Sequence, residues 1–388
     1  MIAPAVSSSA AGQAYAESRP PKPALQRLDA VQLLRALAAT LVVVGHLKGA
    51  AWTHQGELGP FPRIAFFGGA GVDLFFAISG FIIVHAGLRL LHEDHPGRTF
   101  LLRRLARIVP LYWGVTLFPL VVALLIGRDL PSMAAIAKSL LFIPYDRSGT
   151  GEFYPLCDLG WTLNYEIQFY ALFAFWMVIG KGQCVRLAIA SLCLLVLAGF
   201  VAPATSGPLY FWTRPIILEF AGGMAIAALY SAGRLHLTRA ARTALIAAAL
   251  ALYILDPVSL IPLARTPNEM VRVIGWGLPG MLLLIAAVSS PFTPQSSLGR
   301  IGVLLGNASF AFYLLHPFAI TACRRIIALL PLPSGTGGWV LVGTGFMVAC
   351  GGSILAYLYL EKPLTAWLAT RLTDRRQREP QKGDLSPV

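Results

Sequence analysis

Histidine is the side chain best suited to take a proton from a hydroxyl near neutral pH, and His46 stands where such chemistry could run. It follows Arg35 by eleven residues in the apolar run LLRALAATLVVVGHL. On a helix that separation is about 16 Å along the axis and about three whole turns, so the two side chains face one direction. With Arg35 near the inner side, His46 falls near the outer end. Charged groups in hydrocarbon are costly and mark either function or tight pairing. Asp73, in GGAGVDLFFAISGF, and Glu166, in GWTLNYEIQFY, are expected at about the depth of His46. Three ionisable groups from three helices could then meet, a carboxylate fixing the imidazole tautomer while the other ring nitrogen serves as general base. Equally, a neighbour at the helix end could satisfy His46, and the two carboxylates could neutralise Arg63 or Arg214.

A second cluster lies in LLRRLARIVPLYW, where Arg103, Arg104 and Arg107 precede an apolar run. Arginine keeps its charge and grips phosphate oxygens with a planar fork. Such a cluster at a cytoplasmic mouth could hold the phosphates of a nucleotide-like cofactor, or contact anionic lipid headgroups. His316, in SFAFYLLHPF, stands beside Pro317, which frees a carbonyl one turn earlier; it ranks below His46 as a reactive group. Glu361, in YLEKP, could pair with Arg35 or the arginine cluster at the inner face.

These residues need elements to hold them, and composition says which. Of 388 residues, 56% are hydrophobic and only 13% charged, where a soluble domain carries about 25% charged residues. A bilayer core takes about 20 apolar residues per helical span, and runs of that order recur at 31–48, 65–87, 108–127, 162–180, 185–203, 210–231, 243–258, 271–290, 307–330 and 338–360. The pattern predicts an all-α fold, a polytopic transmembrane bundle of about ten spans. The segment 131–143 is apolar but too short to span and reads as an interfacial helix. The net charge of +13 is a topology signal before it is a nucleic-acid signal. With both termini in the cytoplasm, about two thirds of the 31 basic residues fall on the inner side. No basic helix interleaved with exposed aromatics points to nucleic acid. The five cysteines are scattered without metal or redox spacing and read as small buried hydrophobes, so no metal is expected. Residues 1–26 read as a disordered cytoplasmic tail with no signal-peptide pattern, 27–365 as one membrane domain and 366–388 as a basic cytoplasmic tail. No internal repeat suggests a transporter built from related halves.

Six segments taken in order, LLRALAATLVVVGH, GVDLFFAISGF, RRLARIVPLYW, WTLNYEIQFY, SFAFYLLHPF and YLEKP, resemble the acyltransferase 3 family of membrane-bound O-acyltransferases. GWTLNYE and the preceding SLLFIPY resemble its exopolysaccharide-acetylating branch. The resemblance implies an enzyme of the bacterial cytoplasmic membrane that moves an acyl group, commonly acetyl, from cytoplasmic acetyl-CoA to a hydroxyl of an exported polysaccharide or its lipid-linked precursor. It implies His46 as the catalytic histidine and Arg35 as its partner in the first-helix signature. Arg104 and Arg107 would belong to the arginine motif, and Glu166 to the WxLxxE motif. Many members carry Arg-x-Arg where this chain has Arg103, Arg104 and Arg107, which leaves the assignment of phosphates to arginines open. The chain carries no fused esterase-like domain, so a second catalytic step would need a partner among polysaccharide-synthesis proteins. Transfer could be direct or pass through an acyl-histidine. The rival readings are a transporter or flippase of lipid-linked saccharides, which would use the same charges as a pathway, and a sensor without chemistry.

Overall fold

In the computed structural model the described residues are 28–55, 68–149, 151–180, 182–201, 207–256, 258, 266–333 and 336–374, and among them the regular structure is helical, with no strand. The expected tail 1–26 and Arg63 lie outside them. The helices run α1 Asp29–Gln55, α2 Gly68–Gly87, α3 Pro96–Leu125, α4 Met133–Leu140, α5 Trp161–Ile179, α6 Cys184–Val201, α7 Gly207–Trp212, α8 Ile217–Ser231 and α9 Arg239–Leu255. They continue as α10 Thr266–Arg272, a π-helical turn Val273–Gly277, α11 Leu278–Val288, α12 Ser297–Asn307, α13 Ser309–Ile327 and α14 Gly337–Ala356. A second π turn, Tyr357–Glu361, leads into α15 Lys362–Asp374. The basic segment expected from 366 thus begins inside α15, and residues beyond Asp374 are not described.

Among the described residues seven helical stretches are long and apolar enough to cross a membrane: Asp29–Ala51, Gly68–Leu90, Pro96–Leu125, Cys184–Val201, Glu269–Val288, Ser309–Ile327 and Gly337–Leu372. The other three expected spans fall on shorter or more polar helices. α8 has 15 residues, α9 has 17, and α5 carries Asn164, Glu166 and Gln168 in its first turns.

One difference from the sequence expectation bears on the site. α3 begins at Pro96, not near residue 108, so the arginines stand on a helix rather than in a loop. Leu101, Leu102, Leu105 and Ile108 supply the apolar stripe, and arginine stems can lie along apolar surface while their heads remain polar. The segment expected to lie at the interface is α4, capped by Ser132, whose side chain accepts from the Ala135 N–H.

α1, α2, α8 and α11 pack into the centre, and α13 and α14 close one side. In lipid, helices approach through small residues rather than by hydrophobic drive, and the α2–α8 contact follows that rule. A Cβ on Gly223 would lie 2.0 Å from the Ala77 carbonyl oxygen, and one on Gly80 would lie 2.2 Å from the Phe220 carbonyl oxygen. Backbone cannot yield as a side-chain tip can. Gly223→Val is therefore expected to destabilise the fold by about 1–3 kcal/mol or more, read as a lower thermal midpoint in detergent. An unchanged midpoint would mean that α2 and α8 are not held in this close contact.

Candidate active site

Two cavities open from the bundle and meet at its middle. The inner one holds about 80 Å³ and is lined by Arg35, Ser79, Arg104, Arg107, Glu166 and Tyr170 among others. The outer one holds about 820 Å³ and is lined by His46, Arg147, Glu152, Trp161, Arg272 and Trp276 among others. Val72 and Tyr313 line both, so these two side chains form the partition. Tyr313 contributes the polar group there. Its hydroxyl is 3.1 Å from the Leu159 carbonyl oxygen, to which it donates, and it accepts from Thr162 Oγ1, also at 3.1 Å.

His46 projects from α1 into the outer cavity, where it is exposed. Its Nδ1 lies 2.9 Å from the Val42 carbonyl oxygen one turn back. A carbonyl only accepts, so Nδ1 carries the hydrogen and Nε2 of the neutral ring keeps its lone pair for the cavity. The His316 ring, on α13, stands 4.9 Å from it, centroid to centroid. His316 is fully buried and likewise donates from Nδ1, to the Phe312 carbonyl oxygen 3.2 Å away.

The expected meeting of His46, Asp73 and Glu166 does not occur in the fold. Asp73 on α2 is fully buried and turned to α10, where Arg272 Nε and Nη2 donate to its two oxygens at 2.7–3.2 Å. Glu166 on α5 faces the inner cavity and accepts from Ser79 Oγ at 2.9 Å and Tyr170 Oη at 3.0 Å. The physical reason is charge. Asp73 faces the Arg272 guanidinium, Glu166 is satisfied by two hydroxyls on the side of the arginine cluster, and the imidazole tautomer is held by a backbone carbonyl instead. Arg214, considered as a counter-ion for them, pairs with Glu269.

The arginines do converge. Arg35 from α1 joins Arg104 and Arg107 from α3 around the inner cavity. Arg35 Nη1 donates to Gln32 Oε1 at 3.2 Å. Arg104 Nη2 donates to the Ile82 carbonyl oxygen at 3.3 Å, and its guanidinium lies over the rings of Phe100 and Tyr170 at 5.5 and 5.8 Å. Arg104 and Arg107 are three residues apart and share a helix face. Arg103, about 100° round from Arg104, is exposed and lines neither cavity. Glu361 stands with Arg107 beside a separate groove among α3, α13 and α15.

Sequence reasoning did not single out Arg272, Glu219 or Tyr313, nor the approach of His316 to His46. Arg272 is held among helices with Trp161 and Trp276 within 6.0 and 5.4 Å of its guanidinium. Glu219, fully buried on α8, is a lone acid in an apolar run, which was the available signal. The loop bearing Arg147 is closed by Asp146, whose carboxylate accepts from the N–H groups of Ser148, Gly149 and Gly151. Those donors hold the Asp146 carboxyl below its ordinary range.

The family model described as "Acyltransferase domain" matches residues 28–358. The exopolysaccharide production protein ExoZ of Rhizobium meliloti (strain 1021) is 32% identical over 305 residues, 76% of this chain and 89% of its own. The acyltransferase MdmB of Streptomyces mycarofaciens is 26% identical over 338 residues, 79% of this chain and 82% of its own. No solved structure matches the chain.

Proposed function

This chain belongs to the Acyltransferase domain family and is a membrane O-acyltransferase, and from that premise we propose that it moves an acetyl group from cytoplasmic acetyl-CoA to a hydroxyl of an exported polysaccharide or its lipid-linked precursor. The observation that carries this reading is the pair of cavities divided by Val72 and Tyr313, with arginines on one side and an open His46 Nε2 on the other. The polysaccharide acceptor is supported by the likeness to an exopolysaccharide production protein. In this proposal the chain crosses the bacterial inner membrane ten times with both termini in the cytoplasm, as the bias of its basic residues favours.

The inner cavity, about 80 Å³, would receive the pantetheine arm rather than the nucleotide. The CoA phosphates would dock at its mouth on Arg104 and Arg107, with Arg35 deeper in, and the pantetheine arm would extend toward the partition. The rise from Arg35 to His46, about 16 Å, is of the order of that arm. At the partition the acceptor oxygen attacks the thioester carbonyl carbon as His46 Nε2 takes its proton. The tetrahedral intermediate expels the thiolate by breaking the C–S bond, and the imidazolium returns the proton to sulfur. An O-ester and free CoA result.

Arg104→Gln and Arg107→Gln are each expected to raise KM for acetyl-CoA about tenfold, the scale of one lost charge-assisted contact, with Arg103→Gln changing it less than twofold. Equal effects at all three positions would mean that the inner cavity does not select the donor. The reading itself is tested with the protein in lipid nanodiscs, acetyl-CoA and a cell-envelope glycan. Acceptor-dependent CoA release is expected. Glycan movement across a sealed bilayer without thioester loss would favour a flippase.

A further inference from the structure

Behind the wall of the outer cavity, and reaching it through Arg272, stands a built group that the proton transfer at His46 does not use. Asp73, fully buried, grips Arg272 through Nε and Nη2, and Glu219, fully buried, stands behind them. A buried ion pair inside a membrane bundle is a costly way to gain stability, since desolvation offsets much of the attraction. The backbone is also adapted to it. The helix bearing Arg272 passes straight into the π turn Val273–Gly277, a rare form concentrated at functional sites. A Cβ on Gly277 would lie 2.6 Å from Glu219 Oε1, and one on Gly69 would lie 2.2 Å from the Trp276 ring. Trp276 is in turn tied to Asp256 by its Nε1–H at 3.0 Å.

What this group offers the cavity follows from what it already engages. Arginine has five N–H donors; with Nε and Nη2 on Asp73, Nη1 is left for a ligand. Its charge is already matched by Asp73. The other arginine of the cavity wall, Arg147, is matched by Asp158 at 3.1 Å. Among the described lining residues the remaining charged side chain is Glu152. An anion entering here meets no surplus positive charge and one carboxylate. A hydroxyl meets Nη1 of a guanidinium held in place by Asp73 and the carboxylates of Glu152 and Asp158, and the apolar face of a sugar ring meets Trp161 and the exposed ring of Tyr154.

We propose that the Asp73–Arg272 pair with Trp161 and Tyr154 forms a subsite for an uncharged sugar residue of the acceptor, which sets a neighbouring hydroxyl against His46 Nε2. The subsite deepens the acyltransferase reading and rests on it for its role, but its ligand selectivity is measured without turnover.

The test titrates the full chain in nanodiscs, without donor, with neutral tetrasaccharides of glucose and of galactose and with the matching glucuronate and galacturonate tetrasaccharides. At least one neutral tetrasaccharide is expected to bind tenfold or more tightly than its uronate counterpart. Arg272→Lys, which keeps the charge opposite Asp73 but loses the fork, is expected to weaken that binding about tenfold and leave acetyl-CoA binding within twofold. The double variant Asp73→Asn/Arg272→Gln removes both charges together and is expected to fold with the same loss, so that failure of one variant to fold does not end the test. Tighter binding of the uronates, no binding of either neutral sugar, or unchanged sugar affinity in both variants would overturn the proposal. His46→Ala is expected to keep wild-type sugar affinity. Selective sugar binding without acceptor-dependent CoA release in the wild type would leave the subsite standing and remove the transferase chemistry.

Discussion

Replacing His46 with alanine is expected to lower kcat for acetyl transfer by about 10²–10⁴-fold, the contribution of a positioned general base, while leaving acetyl-CoA affinity within twofold. The size follows from what the side chain alone supplies. Its Nδ1–H is committed to the Val42 carbonyl, so Nε2 is the free base at the wall of the outer cavity. No carboxylate among the described residues orients it, so substitution at Asp73 or Glu166 should not reproduce the same loss in kcat at unchanged substrate affinities. The fold should survive, because His46 is exposed to the cavity and exposed truncations cost little. His316 stands 4.9 Å behind, and activity retained in His46→Ala but lost in a variant at both histidines would transfer the role of base to His316. The check is steady-state kinetics on protein whose monodispersity matches the wild type.

The largest effect on stability is expected at Asp73. Asp73→Ala removes one partner of a buried pair and leaves the Arg272 guanidinium, only 18% exposed, facing a buried carboxyl on Glu219 and two indoles. Breaking such a pair costs roughly 3–5 kcal/mol, far more than its formation contributes, because the remaining charge stays desolvated. Asp73→Ala should therefore fall well below the wild type in thermal midpoint, and Asp73→Asn/Arg272→Gln should recover most of the difference. A midpoint for Asp73→Ala within a degree of the wild type would show that Arg272 is solvated in the folded protein and that α2 and α10 are not joined through this pair.

Helical content and the short α4 were legible because each rests on a local rule, the length of an apolar run. What could not be read was rotation. His46, Asp73 and Glu166 lie on three helices, and nothing local to α2 or α5 says which neighbour each acid faces. Tertiary packing turned Asp73 to Arg272, 199 residues away, and Glu166 to Ser79, 87 residues away. The apolar run from 108 did not show that α3 begins at Pro96, because arginine stems let a helix continue past the apolar run into a polar boundary. The His46–His316 approach joins α1 to α13 across 270 positions, with no periodicity to announce it.

In the proposed mechanism the acyl group crosses a partition formed by Val72 and Tyr313, entering from the arginine side and leaving on the His46 side. It is tested most directly by sidedness. Proteoliposomes of uniformly oriented protein are given acetyl-CoA at the face that carries the arginines and the glycan only at the opposite face, with the radiolabelled acetyl group followed into the glycan. Labelled glycan is predicted with substrates on opposite faces and none when the acetyl-CoA is moved to the glycan's side. Equal labelling in both arrangements, or labelling only when both substrates share one face, would contradict transfer across the partition.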